Sequence, residues 1–346
     1  MSPARTADSL PVPGHVIRVG GAIALVPLLR ERGVDPEALA AEAGLPVQVF
    51  ASPDNVVPFA ALCRLLQLAR ERTGLGDIGL RACTTTGLAA LGLLGYLVAN
   101  TESVGRALGA AQEFLHVHDE GATTYLASEG ESAVLGYEVL TPGVAGADQV
   151  TFGALAIAAN VLRGLCGAGF RFQEVDFAYR APADISLFRS FFGAPVRFDA
   201  ERSALFFEAR WLAAPVAGSD AYIRQMLVER IRQQLADASD ATGDRLRRVV
   251  RSLVAAGKFT VDDLAAALAL SRRTLARRLN EHGTSFRELR DEARFLAARN
   301  LLQSSQVPVA EIAARLGYSD TPAFTRAFRR WAGTSPAEWR HRHKTI

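Results

Sequence analysis

Two helix-turn-helix patterns on either side of one long amphipathic stretch occupy the C-terminal third of this 346-residue chain, and they limit what it can fold into. In the first, Thr260 is placed to cap a helix, with Asp263 as the acid of a capping box. Val261, Leu264, Ala265 and Leu268 then make one apolar face at helical spacing. Ser271 caps the next helix, whose Leu275 and Leu279 point inward and whose Arg272, Arg273, Thr274, Ala276, Arg277 and Arg278 point outward. In the second pattern Ile312, Ala313 and Leu316 face inward, and Gly317 supplies the left-handed residue that ends a helix. Pro322 suits a first helical turn, where its missing N–H costs nothing. Phe324 and Phe328 pack inward, leaving Thr321, Thr325, Arg326, Arg329 and Arg330 outside. Between the units, residues 286–304 read as one helix with apolar positions 286, 289, 293, 296, 297 and 301, broken off by Gly283 and capped by Thr284 or Ser285. Two recognition helices on a rigid strut match successive major grooves of a DNA duplex.

Charge follows the same division. Residues 241–346 carry 20 basic and 10 acidic side chains, residues 1–240 carry 19 basic and 26 acidic, and the near-neutral net charge of +3 hides a basic module joined to an acidic one. A single arginine on a helix face is ordinarily just solvated. A basic half beside an acidic half is the footprint of phosphate binding by one half only.

Length and an apolar content near one half allow a second domain with its own core. The expected organisation is a disordered lead-in at 1–14, an effector-binding or oligomerisation domain at 15–236, a polar linker at 237–243 and a DNA-binding domain at 244–344. The first domain reads as α+β, helices plus a small antiparallel sheet, and the second as all-α with two helix-turn-helix motifs. Helices are expected at about 15–32, 36–43, 58–73, 88–98, 103–114, 148–166, 184–192 and 219–237. A hairpin is expected from Val117–Ser128 and Ala133–Leu140, turning at Glu129-Gly130-Glu131, with strands at 174–179, 196–198 and 204–208, the last two as a pair. The apolar run Gly87–Ala99 is too short for a bilayer, the glycines at 87, 92 and 95 read as close helix contacts, and no membrane association is expected.

Three scattered cysteines, Cys63, Cys83 and Cys166, suggest a reducing compartment and no disulfide framework. His116 and His118 would share a face on a strand, but a metal site needs a further convergent ligand, so neither metal nor cofactor is expected. No phosphate-cradling glycine motif, nucleophile elbow or zinc-protease motif occurs, which points away from an enzyme.

The C-terminal signatures Ser271-Arg-Arg-Thr-Leu-Ala-Arg-Arg-Leu, Gly283-Thr-Ser-Phe-Arg-Glu-Leu, Val309-Ala-Glu-Ile-Ala-Ala-Arg-Leu-Gly-Tyr-Ser and Ala323-Phe-Thr-Arg-Ala-Phe-Arg-Arg-Trp-Ala-Gly-Thr-Ser-Pro336 resemble the DNA-binding domain of the AraC/XylS family of bacterial transcription regulators, from about residue 259 to Arg340. Ala269 departs from it where the family often has Gly. Gly92-Leu-Leu-Gly-Tyr-Leu97, Thr101-Glu-Ser-Val-Gly-Arg-Ala-Leu108, Ala181-Pro-Ala-Asp184 and Phe192-Gly-Ala-Pro-Val-Arg-Phe198 resemble the arabinose-binding-like effector domain of one branch, with Tyr179 where members often have His.

The resemblance implies a sequence-specific regulator, an activator controlled by a small-molecule effector, acting on promoter DNA and RNA polymerase in the cytoplasm and nucleoid. It places Arg273, Thr274, Ala276 and Arg277, then Thr321, Pro322 and Arg326, on the groove side. Arg272, Arg278, Arg329 and Arg330 are better placed for phosphates, and Ser271 and Thr325 complete the expected DNA-contacting set. Tyr96, Phe114, His116, Tyr137 and Tyr179 are candidate effector-pocket residues. The 219–237 helix, with Tyr222, Met226, Ile231 and Leu235, is a candidate homodimer contact. Two other readings stand beside this one: a first half that only oligomerises, and an alkyl-transfer repair enzyme, which requires an activated cysteine.

Overall fold

A computed structural model describes residues 15–140, 143–236, 241–268 and 270–343. The expected lead-in at 1–14, linker residues 237–240 and the turn at Ala269 lie outside the described residues. Residues 241–243 of the expected linker form the start of a helix.

The N-terminal half opens with β1 (Val16–Arg18), a 3-10 turn, α1 (Leu25–Glu31) and α2 (Pro36–Glu42), followed by β2 (Val56–Pro58), α3 (Phe59–Thr73), α4 (Ile78–Cys83), α5 (Leu93–Ala99) and α6 (Val104–Phe114). The hairpin β3 (Ala122–Glu129) and β4 (Ser132–Val139) comes next, then α7 (Ala147–Cys166), β5 (Phe172–Asp176), α8 (Ser186–Phe192), β6 (Val196–Arg197), β7 (Ala204–Glu208) and α9 (Ala221–Ala236). The C-terminal half is helical: α10 (Ala241–Ala255), α11 (Val261–Ala267), α12 (Arg272–Glu281), α13 (Phe286–Ser304), α14 (Val309–Arg315), α15 (Thr321–Ala332) and α16 (Pro336–His343).

The expected helix at 15–32 is only partly helical. Its first residues form β1, which pairs antiparallel with β2, Ile17 facing Val57. A three-residue strand whose partner lies far along the chain leaves no local periodicity to read. The short helix α4 was not expected either; it packs tightly on α7.

The main sheet runs β3-β4-β7-β5-β6. It is antiparallel except at one edge, where β6 pairs parallel with β5. The expected pairing of 196–198 with 204–208 is therefore replaced: β7 lies between β4 and β5. The hairpin turns at Glu129-Gly130-Glu131 as expected, but its first strand starts at Ala122, because residues 115–117 form a 3-10 turn.

Helix α7 is long and apolar enough in composition to resemble a membrane span, yet 67% of that stretch is buried. It is the central core helix, packed on α3, α4 and β4. Its Phe152 meets Phe177 and Phe188 edge to face, with ring centroids 5.0 Å apart in both pairs, an arrangement favoured by the ring quadrupoles. Gly95 does allow close helix contact: a Cβ there would sit 2.0 Å from the Leu88 carbonyl oxygen. Gly92 instead is a positive-φ joint between a 3-10 turn and α5, and a Cβ at Gly87 would make only an ordinary contact with the Asn160 side chain at 3.9 Å.

The hairpin is covered on both faces. Cross-strand neighbours Thr124 and Tyr137 border a cavity in the N-terminal core. The adjacent residues Tyr125 and Glu138 project from the other face, since side chains alternate along a strand, and they lie in the field of Arg315 on α14. Helix α10 packs on β3 and on α13, so the sheet is the floor of one half and a docking wall for the other.

Candidate nucleic-acid interface and effector cavity

The two recognition helices form for the local reasons their sequences supply. Thr260 and Asp263 make a reciprocal capping box at α11, Ser271 accepts from the Thr274 amide at the start of α12 (3.2 Å), and Ser285 with Glu288 caps α13. Helix α15 is capped by Asp320, which accepts from the Ala323 amide at 2.6 Å and which the sequence reading missed. Leu275, Leu279, Phe324 and Phe328 are buried as expected.

On the outer surface, Arg273, Ala276, Arg277, Pro322, Arg326, Arg329 and Arg330 are exposed, while Thr274, Arg278, Thr321 and Thr325 are half-buried. Arg272 is held by Asp262, Arg277 by Glu281 (2.9 Å) and Arg330 by Asp291 (3.0 Å). Arg273, Arg278, Arg326 and Arg329 make no ion pair among the described residues. Exposed pairs of this kind are weak and screened by solvent, so a phosphate competes readily for the paired arginines. The Thr274 hydroxyl lies 2.9 Å from the Ser271 hydroxyl, which leaves its methyl as the free group.

A charged residue inside the strut joins the two units. Arg294 is 7% exposed on the inner face of α13. Its guanidinium lies 4.6 Å from the centroid of Phe259, ahead of α11, and 4.8 Å from that of Tyr318, in the turn of the second unit. It also donates to the Gly317 carbonyl at 3.3 Å. Gly317 has φ +72°, and a Cβ there would sit 2.5 Å from the Phe259 ring, so the turn needs glycine for conformation and for space. The signal for Arg294 was its i, i+4 spacing with Ala298 and Leu302 on the apolar face of the strut.

The N-terminal half holds a cavity of about 150 Å³. Leu62, Leu66, Leu94, Leu108, Val150 and Ala154 are among its apolar walls, and Arg18, His118, Asp119, Tyr137 and Gln149 supply its polar edge. Tyr137 donates to Asp119 at 2.6 Å, and Asp119 also accepts from the Gly121 amide at 2.8 Å. Burial raises the Asp119 carboxyl to about 6, and burial with the nearby Arg18 charge lowers His118 to about 4, so this imidazole is neutral at pH 7.

Of the candidate pocket residues, only Tyr137 lines this cavity. Tyr96 is 67% exposed on α5, and Phe114 is buried in the core elsewhere. His116 and His118 do not converge: His118 borders the cavity and His116 does not. Tyr179 is buried against Phe152 with its hydroxyl 3.4 Å from that of Thr151; it borders a separate polar cleft of about 550 Å³ with Arg70, Asp77, Asp148 and Gln303. Aromatic spacing misled here because core and pocket aromatics follow the same periodicity. Among the described residues no group of three metal-ligating side chains gathers. Burial pushes the thiols of Cys83 to about 12 and Cys166 to about 11, and that of Cys63 well above its ordinary value, so none is an activated thiolate.

A histidine kept neutral in the fold contributes stability that is complete above about pH 6.5 and is lost as the pH falls towards 4. The stability of the wild type relative to His118→Leu is therefore expected to rise between pH 4 and 6.5 and to be level above, as measured by urea unfolding. A difference independent of pH would show that His118 is not buried in this way.

Helix α6 and strand β3 link the cavity to the DNA-binding half. Leu108 and Ala111 of α6 line the cavity, and Gln112 reaches out to donate to Ser252 of α10 at 2.9 Å. Ser252 donates to the Thr124 carbonyl at 3.0 Å, and Gln112 accepts from the Leu126 amide at 3.3 Å. Nearby, Glu138 Oε2 and Arg315 Nη1 are both buried without a hydrogen-bond partner.

Two recognition helices on a shared strut, joined to an α+β module, define a DNA-binding protein of the double helix-turn-helix class. Residues 33–216 match the family model described as the arabinose-binding domain of AraC transcription regulators, and residues 264–342 match that of a helix-turn-helix domain. The chain belongs to the AraC family of DNA-binding transcription regulators. It is 26% identical over 329 residues to the HTH-type transcriptional regulator VirS of Mycobacterium tuberculosis, covering 94% of this chain and 97% of that one. It is 28% identical over 330 residues to the ornithine utilization regulator of Pseudomonas aeruginosa, covering 94% and 96%. Among solved structures it is similar to the transcriptional regulator CdpR of Pseudomonas aeruginosa, at 21% identity and a TM-score of 0.46, covering 93% and 98%.

Proposed function

We propose that this regulator reads promoter DNA sequence-specifically with α12 and α15, and that a small molecule in the N-terminal cavity governs that reading. The effector half ends with α9 and the DNA-binding half begins at α10. In this reading the protein is an activator that positions RNA polymerase, works in the cytoplasm on nucleoid DNA, and catalyses no reaction. A second copy docks on the exposed apolar residues Tyr96, Tyr222, Ile223 and Met226 of α5 and α9. Ile231, expected at that contact, is buried in the core instead, and the side chain of Leu235 lies outside the described residues.

The observation that carries effector control is the Gln112–Ser252–Thr124 junction, because one face of α6 and β3 borders the cavity and the next residues hold α10. A ligand shifts an equilibrium only as far as it binds the two arrangements differently. A cavity whose walls also position α10 gives it a means to do so. Gln112→Ala, which touches no DNA-facing residue, is expected to change the DNA affinity of the full chain several-fold and to alter output from a reporter promoter. Unchanged affinity and unchanged output would favour a first half that only oligomerises.

A further inference from the structure

The polar groups around the cavity are almost all committed to the protein. Gln149 accepts from the Gly79 amide and donates to Gly76 and Asp148. Arg18 is paired with Asp54 at 2.6 Å and donates to the Val117 carbonyl. Each Asp119 oxygen already accepts a hydrogen bond, and Thr124 donates to the Gly136 carbonyl at 2.6 Å. His118 stands apart: it is 9% exposed and its Nδ1 is buried with no hydrogen-bond partner. Apart from the Tyr137 ring and the Cys83 thiol, the other side chains of the walls are alkyl.

We propose that this cavity binds a small, uncharged, mostly hydrocarbon molecule of about the size of a substituted benzene, with one hydroxyl or similar group on His118. The inference rests on the effector reading above and names its ligand class. An apolar cavity of roughly 150 Å³ accommodates benzene, which matches the volume here. A sugar or a zwitterionic amino acid would leave several hydroxyls, or an ammonium and a carboxylate, without water and without partners. Each unmet polar group is destabilising there, and an unpaired charge more so. A single phenolic hydroxyl meets one imidazole nitrogen, and its ring packs on the apolar walls. This class differs from the sugar in the name of the matched domain.

The test is thermal unfolding of the full chain with p-cresol, toluene, L-arabinose and L-ornithine. Cresol and toluene are expected to raise Tm by about 2–4 °C in a saturable way, and the sugar and amino acid to leave it unmoved. His118→Leu is expected to weaken p-cresol about fivefold, to the level of toluene, as the loss of one net hydrogen bond requires. Ala154→Leu, which fills the cavity, should keep the fold and abolish both shifts. Stabilisation by arabinose or ornithine that Ala154→Leu removes would overturn the ligand class while leaving effector control intact. Stabilisation by ornithine that survives Ala154→Leu would move the site to the polar cleft beside Tyr179 and overturn the proposal. No shift with any of the four would also overturn it, whereas effector control itself stands or falls with Gln112→Ala.

Discussion

Replacing Arg294 by alanine is expected to lower the stability of the DNA-binding half by about 3 kcal/mol, the sum of two shielded cation–ring contacts and a charged donor to a carbonyl. The substitution empties the space between Phe259 and Tyr318 and frees the Gly317 carbonyl. Those three residues belong to both helix-turn-helix units, so the units lose their common support together. Chemical denaturation of the full chain should show the later-folding or earlier-melting transition of this half shifted, with the N-terminal half unmoved. Arg294→Lys should rescue little, because an ammonium cannot lie flat between two rings and donate in their plane. Wild-type stability in Arg294→Ala would mean that the stack is incidental and that α13 alone sets the spacing of the two units.

Arg273→Ala and Arg326→Ala should each weaken binding to the cognate site by about 1–3 kcal/mol relative to scrambled DNA, the discrimination of one bidentate guanine contact. Both side chains are exposed, and neither makes an ion pair among the described residues. They sit on separate helices, so the double variant should lose close to the sum. Arg329→Ala, further along α15, should instead weaken cognate and scrambled DNA alike and reduce the salt slope by about one. Anisotropy titrations at several salt concentrations separate these outcomes. An equal loss on both DNAs for Arg273→Ala and Arg326→Ala would assign these residues to phosphates and leave base reading to others.

The caps of α11 and α12 and the apolar faces of α11, α12, α14 and α15 were legible in the sequence because each is decided within a few residues: Thr260 with Asp263, Ser271 with Thr274, Phe324 with Phe328. Periodicity and capping act over one or two helical turns, and that is the range over which a sequence can be read directly. The α+β character of the first half was legible for the same reason, through its hairpin and its long apolar helix.

What the tertiary structure alone decided depends on residues far apart in the chain. The β1–β2 pairing joins Ile17 to Val57, and the parallel edge joins Val175 to Val196. Arg294 became a core residue only because Phe259 and Tyr318 meet across it. By spacing His118 shares a strand face with His116, yet the packing of α3, α6 and α7 placed it at a cavity with one nitrogen unmet. The aromatic residues chosen for the pocket mostly went elsewhere, since a side chain's periodicity tells which face it takes and not what that face will meet. The identity of the DNA reader was thus written in local chemistry. The cavity, and its connection through Gln112 to α10, arises from contacts whose cost in chain closure is offset only when the whole fold forms.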